Sequence, residues 1–180
     1  AKVHLALSGP LEDSAGAPIE AMRTGESLDD LERAYDAIKY HQMSEAPILD
    51  VRVPSMSTSG LAPDGAHVVS ILAHFAPYDL AGGWTEDSRK ILTDRVIAQL
   101  KRFCPGVEER IVASETLTPA DLEDRYGLPH GHIFHGEHAP DQLLFMRPTV
   151  QCGRYATPMG GLFLCGSGSH PGGGITCAPG

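Results

Sequence analysis

Two stretches of the 180-residue chain hold residue types that can do chemistry. One is the closing run GSGSHPGGGITCAPG, from Gly166 onward. Glycines bring bare main chain up to a ligand, because no Cβ stands in the way and unusual backbone angles cost little. The other is PHGHIFHGEHAP, which places His130, His132, His135 and His138 within nine residues, with Glu137 among them and Asp141 just beyond. Neutral imidazoles and carboxylates are ligands for zinc or iron. A histidine also titrates near neutral pH, and a desolvated glutamate can be raised toward it, so His135 or Glu137 is a candidate acid or base. The spacing H-x-H-x2-H-x2-H does not give the helical i, i+4 pair of an HExxH metal site. Polar loop residues satisfied by backbone and water are a third reading.

The composition narrows the classes. Fourteen Lys and Arg against 23 Asp and Glu give a net charge of -9, which repels a phosphate backbone and argues against nucleic acid as a partner. A hydrophobic share of 42% with 21% charged residues suits a folded domain rather than a disordered chain. No apolar run reaches the roughly 20 residues of a spanning helix, and KVHLALSG lacks the layout of a signal peptide. The expected location is therefore cytoplasmic. Cys104, Cys152, Cys165 and Cys177 form no CxxC pair, so free thiols are expected.

The elements that must position these stretches follow from periodicity. Val3, Leu5 and Leu7 alternate in KVHLAL, a half-buried strand that starts almost at residue 1, as expected of a chain cut upstream. Ser27 is a predicted N-cap for a helix from about Leu28 to Tyr40. PILDVRV reads as a strand stopped by Pro54, and AHVVSILAHF as a central strand hairpinned to it with two antiparallel neighbours. Thr85 caps a long predicted helix to about Phe103, with Trp84 as its hydrophobic staple and Ile91, Leu92, Val96, Ile97 and Leu100 as a core stripe. GVEERIVASETL reads as a further strand, and Thr118, Pro119 and Ala120 open a short helix. From Gly127 to Pro158 the chain is loop-like, with QLLFM a candidate strand and Arg147 a candidate partner for a cofactor or an acidic group, or a member of a surface salt bridge. GGLFLCG is a predicted short buried strand. The sum is an α+β fold, a largely antiparallel or mixed sheet with packed helices, followed by a final strand and glycine-rich turn.

That turn cannot be a dinucleotide fingerprint by itself. Gly166, Gly168 and Gly172 give G-x-G-x-x-x-G, and Pro171 takes the place of the third glycine.

The run PMGGLFLCGSGSHPGGGITCAPG closely resembles the C-terminal signature of the FAD-dependent phytoene desaturase (phytoene dehydrogenase) family, near the pyridine nucleotide-disulfide oxidoreductase domain-containing group. GHIFHGEHAPDQLLFMRP, HVVSILAHFAPY and KVHLALS are similar to the same family. The resemblance implies an oxidoreductase that passes a hydride from an apolar substrate to FAD. Residues 1–150 would be a substrate-domain-like region and 151–180 the return segment of a FAD-binding α/β domain, whose Rossmann half lies elsewhere. Carried onto this sequence, it implies that Gly166 and Ser167 lie by the diphosphate and ribityl chain, with Gly168 a further cofactor-binding residue. Gly172, Gly173, Gly174, Ile175 and Thr176 would approach the ribityl and isoalloxazine region, and the loop holding His135 and Glu137 would face the flavin and the substrate cavity. Cys177 stands where the family more often has glycine. Apart from the missing Rossmann half, the expected partners are an apolar small molecule, a peripheral membrane contact and a second copy of the chain. The competing reading is a stand-alone metal-binding or protein-interaction module built on the loop from His130 to His138.

Overall fold

The computed structural model describes residues 1–174, 177 and 178. The chain forms two compact units, Ala1–Asp121 and Leu122–Gly180.

The first unit is built on five strands: β1 (Lys2–Leu7), β2 (Ala21–Arg23), β3 (Leu49–Arg52), β4 (His67–Ala73) and β5 (Ile111–Leu117). Every pairing is antiparallel and the order is β2-β3-β4-β1-β5. Strict alternation decides which face is buried. Val3, Leu5 and Leu7 of β1, Leu49 and Val51 of β3, and Val69, Ile71 and Ala73 of β4 are all buried. As expected, β4 lies between two antiparallel neighbours, β3 and β1. The α+β class with an antiparallel sheet is thus the observed architecture.

The long helix α3 (Glu86–Phe103) covers the apolar face of the sheet. It starts where the sequence predicts: the Thr85 hydroxyl accepts from Ser88 N–H at 3.2 Å, and Ser88 Oγ accepts from Thr85 N–H at 2.7 Å. Glu86 and Asp87 sit in the first turn and Lys101 and Arg102 in the last, matching the helix dipole. Leu92, Val96 and Leu100 are buried at four-residue spacing, continuing to Cys104. Ile91 is 45% exposed, a correction to the predicted stripe: one residue before Leu92, it lies about 100° around the helix from the buried line. Trp84 packs against the core and donates its indole N–H to the Pro77 carbonyl at 3.1 Å.

The predicted helix from Leu28 is α1 (Leu28–Asp36), followed by a 3-10 turn, Ala37–Tyr40, that ends at His41 with φ of 53°. Ser27 caps it reciprocally with Asp30. Two short helices are α2 (Pro54–Ser57) and α4 (Val107–Arg110). The second takes the first residues of the predicted strand GVEERIVASETL, because Gly106 turns the chain with φ of 76° and Arg110 is tied to Glu12 at 2.6 Å. Thr118 caps α5 (Pro119–Tyr126), accepting from Asp121 N–H at 3.2 Å.

The second unit has little regular structure beyond the end of α5. Three 3-10 turns, Pro129–Gly131, Pro140–Gln142 and Leu144–Met146, punctuate it. QLLFM is not a strand, since Leu144 sits at φ of 54° and reverses the chain. Nor is GGLFLCG a buried strand: a single bridge joins Ala156 to Phe163, while Leu162 and Phe163 are 48% and 69% exposed. An apolar run of this length is buried only when neighbours cover it, and among the described residues one bridge is all that pairs it.

Two measurements check the packing and electrostatics of the first unit. Leu100→Ala is expected to cost about 2–5 kcal/mol in urea unfolding followed by Trp84 fluorescence, through lost burial and a cavity beneath α3; a loss well under 1 kcal/mol would mean that α3 does not seal the sheet. The second concerns Asp121, whose carboxyl lies well below the usual carboxylate range, first because Arg89 hydrogen-bonds it and then because Thr118 donates to it. A depressed carboxyl stabilises the fold above its unfolded pKa of about 3.9, and the effect is lost as pH falls toward the lower folded value. Asp121→Asn should therefore be less stable by about 1–3 kcal/mol at pH 7, with the gap from wild type closing below about pH 4. A gap independent of pH would refute the assignment.

Candidate functional site

The two chemically equipped stretches meet inside the second unit, around a residue whose role the sequence left open. Arg147 is 3% exposed. Its Nε donates to the Ser167 carbonyl at 3.2 Å, Nη1 to the Glu137 carbonyl at 3.2 Å, and Nη2 to the carbonyls of His135 at 3.1 Å, Ser167 at 3.1 Å and Phe134 at 3.4 Å. This is neither a surface salt bridge nor an acidic pairing. Four carbonyl dipoles compensate the buried cation, and a planar guanidinium with five fixed N–H groups can reach all four where an ammonium cannot.

The carbonyls converge because the histidine loop is folded tightly. His130 and His135 have φ of 52° and 58°, and Gly136 has 117°. His130 N–H donates to Glu123 Oε1 at 3.0 Å and His135 N–H to the His132 carbonyl at 3.0 Å. His132 Nδ1 accepts from Phe134 N–H at 3.2 Å, so its neutral ring carries the proton on Nε2. Partial desolvation lowers the pKa of His132, and the neighbouring His138 and Arg147 act in the same direction. The neutral form that the hydrogen bond requires is thereby favoured. Phe134 stands between His132 and His138, with ring centroids 6.0 and 6.3 Å away.

The glycine run packs on this loop. A Cβ on Gly172 would lie 2.6 Å from His138 Nε2, and one on Gly173 would lie 2.7 Å from Phe134 Cα. These two glycines are needed for contact within the chain. Gly166 and Gly168 differ: a Cβ on either would meet nothing within 4 Å. Gly166, at φ of 87°, begins a turn closed by Ser169 N–H donating to the Gly166 carbonyl at 2.9 Å. Among the described residues, no acceptor takes the N–H groups of Gly166, Ser167 or Gly168. Three successive N–H groups of this kind, with open space beside two glycines, are a surface that an anionic or polar group can approach. The diphosphate and ribityl hydroxyls of FAD have that chemistry, so the residues present fit the group.

The remaining predicted site residues are placed as follows. The side chains of His135 and Glu137 are exposed, and it is their carbonyls that Arg147 engages. Gly174 is exposed with φ of 129°. Ile175 and Thr176 lie outside the described residues. Cys177 is exposed and has φ of 57°, the region glycine enters without strain. The four cysteines are free thiols. Among the described residues no group of three His, Cys, Asp or Glu side chains could hold a metal ion. No helix among them is long and apolar enough to cross a membrane.

Neither Arg147 nor Phe134 was identifiable from sequence as the joint between the two stretches. The signal present was weak: Gly172 and Gly173 are adjacent, and a loop rich in His, Gly and Pro exposes carbonyls that some buried donor must satisfy.

Sequence comparison relates the chain to known proteins. No family model matches the chain. Pyridine nucleotide-disulfide oxidoreductase domain-containing protein 2 of Rattus norvegicus is 42% identical over 152 residues, covering 83% of this chain and 26% of that protein. Phytoene desaturase (lycopene-forming) of Pantoea ananas is 33% identical over 131 residues, covering 71% of this chain and 25% of that protein. Phytoene desaturase (neurosporene-forming) of Rhodobacter capsulatus is 28% identical over 146 residues, covering 80% of this chain and 27% of that protein. The chain thus spans about a quarter of the length of these relatives. It belongs to the family of phytoene desaturases and pyridine nucleotide-disulfide oxidoreductase domain-containing proteins, and corresponds to the C-terminal part of such an oxidoreductase.

Proposed function

We propose that the chain is the substrate-covering and flavin-returning portion of a FAD-dependent oxidoreductase of the desaturase or dehydrogenase type. The observation that carries this reading is the turn from Gly166 to Gly168, whose three N–H groups meet no acceptor among the described residues and whose two glycines have open space where a Cβ would stand, in a chain whose relatives include phytoene desaturases. In this reading residues 1–150 belong to the substrate side and residues 151–180 to the flavin side.

FAD, when bound, supplies the acceptor for a hydride leaving a C–H bond of an apolar substrate. The chain's own residues then have three tasks. Gly166, Ser167 and Gly168 donate main-chain N–H groups to the diphosphate and ribityl chain. Gly172, Gly173 and Gly174 bring main chain toward the ring, while Gly172 and Gly173 stay small enough for the histidine loop to close behind them. Formation of a double bond also removes a proton from the neighbouring carbon, and the imidazole of His135 or the carboxylate of Glu137 is the proposed acceptor.

The surface of the second unit supports a partner half. Leu144, Phe145, Val150, Met159 and Phe163 are 67, 61, 64, 68 and 69% exposed, which is much apolar area for one small unit to leave in water. A Rossmann half that holds the adenosine end of FAD is the proposed cover. An apolar substrate also makes a peripheral membrane contact a natural route of supply.

Titrating FAD into the 180-residue chain and into its full-length gene product tests the reading. Expected are about one FAD per full-length chain and only weak binding, with concentration-dependent self-association, for the 180 residues alone. Tight stoichiometric FAD on the short chain would refute the split site, and a full-length product that takes up no FAD would refute the function.

A further inference from the structure

The peptide between Ser167 and Gly168 has its carbonyl fixed from one side, which determines what its other side presents. Two guanidinium nitrogens of Arg147, Nε and Nη2, donate to the Ser167 oxygen, at 3.2 and 3.1 Å. In a trans peptide the C=O and the following N–H point in opposite directions across one rigid plane. Drawing the Ser167 oxygen onto Arg147 therefore turns the Gly168 N–H away from Arg147. That N–H has no acceptor among the described residues, and a Cβ on Gly168 would meet nothing within 4 Å. The same guanidinium holds the carbonyls of Phe134, His135 and Glu137. One buried cation thus sets the direction of a donor in the glycine turn and the shape of the histidine loop.

We infer that Arg147 is a positioning residue for the flavin-facing turn, aiming the Gly168 N–H at an acceptor oxygen of the bound cofactor while holding the loop of His135 and Glu137 in register with it. The inference rests on the flavin reading above. Arg147 does not touch the cofactor. It acts through the peptide plane, which it orients before the ligand arrives, so that no reorganisation is needed on binding. A lysine keeps the charge but offers one head where four carbonyls need partners.

The test uses the full-length gene product as wild type, Arg147→Met and Arg147→Lys. The readouts are FAD affinity by flavin fluorescence, far-UV circular dichroism, and amide hydrogen exchange resolved at Ser167 and Gly168. In the wild type, FAD should slow exchange at Gly168. Arg147→Met should keep the wild-type circular dichroism, bind FAD about tenfold more weakly, and leave Gly168 exchanging fast even at saturating FAD; Arg147→Lys should recover only part of the affinity. A residue that merely stabilised the fold would change melting without changing protection at Gly168 once FAD was bound. The inference is overturned if Arg147→Met binds FAD as tightly as wild type, or if wild type carries FAD while Gly168 exchanges as fast as in its absence. That second result stands even if the methionine variant fails to fold. A wild type that holds no FAD overturns the flavin reading itself, which separates the two failures.

Discussion

A guanidinium buried among main-chain carbonyls is the interaction on which the second unit depends. Removing a full charge from water is costly unless dipoles replace the lost hydration, and Arg147 has four carbonyls to do so. Without it, the carbonyls of Phe134, His135, Glu137 and Ser167 would lose a shared donor, in a unit with almost no strand or helix to hold it. The glycines complete the constraint from the other side. Gly173 admits the Phe134 backbone at a distance that any Cβ would forbid, and Gly172 packs on His138 at a φ of 109° that side chains rarely adopt. Loop and turn therefore pack as one object.

The first unit is organised by different physics. Its core is aliphatic, with Val3, Leu49, Val51, Val69, Ile71, Val96 and Leu100 fully buried, and its shape follows from strand alternation and one capped helix. Such a scaffold is held by apolar burial and backbone pairing. That suits a substrate side on which apolar contacts carry recognition and the reactive group is supplied by a cofactor. The contrast is between the units Ala1–Asp121 and Leu122–Gly180; the histidine loop and Arg147, on the substrate side of the division proposed at residue 150, pack with the glycine turn.

How much of this was legible in sequence follows the same division. Where periodicity and capping act locally, the residues announce the structure. Thr85 and Ser88 mark the start of α3, Ser27 and Asp30 that of α1, and Val3, Leu5 and Leu7 their strand. Ile91 departs from its pattern because it is apolar yet one step off the buried line, and Leu162 and Phe163 because an apolar run signals burial while little of the described chain covers this one. In the second unit the glycines and histidines were visible as candidates. What joins them was not, because Arg147 bonds to carbonyls, which every residue possesses and no residue type reveals. Sequence patterns disclose side-chain partners; they do not disclose a charge satisfied by main chain.

The central claim is that the turn from Gly166 to Gly168 faces a flavin. The most direct measurement is an experimental structure of the full-length gene product with FAD bound. The account predicts the N–H groups of this turn within about 3 Å of cofactor oxygens, with Arg147 still on the Ser167 carbonyl. FAD bound elsewhere, with these glycines facing solvent, would contradict it.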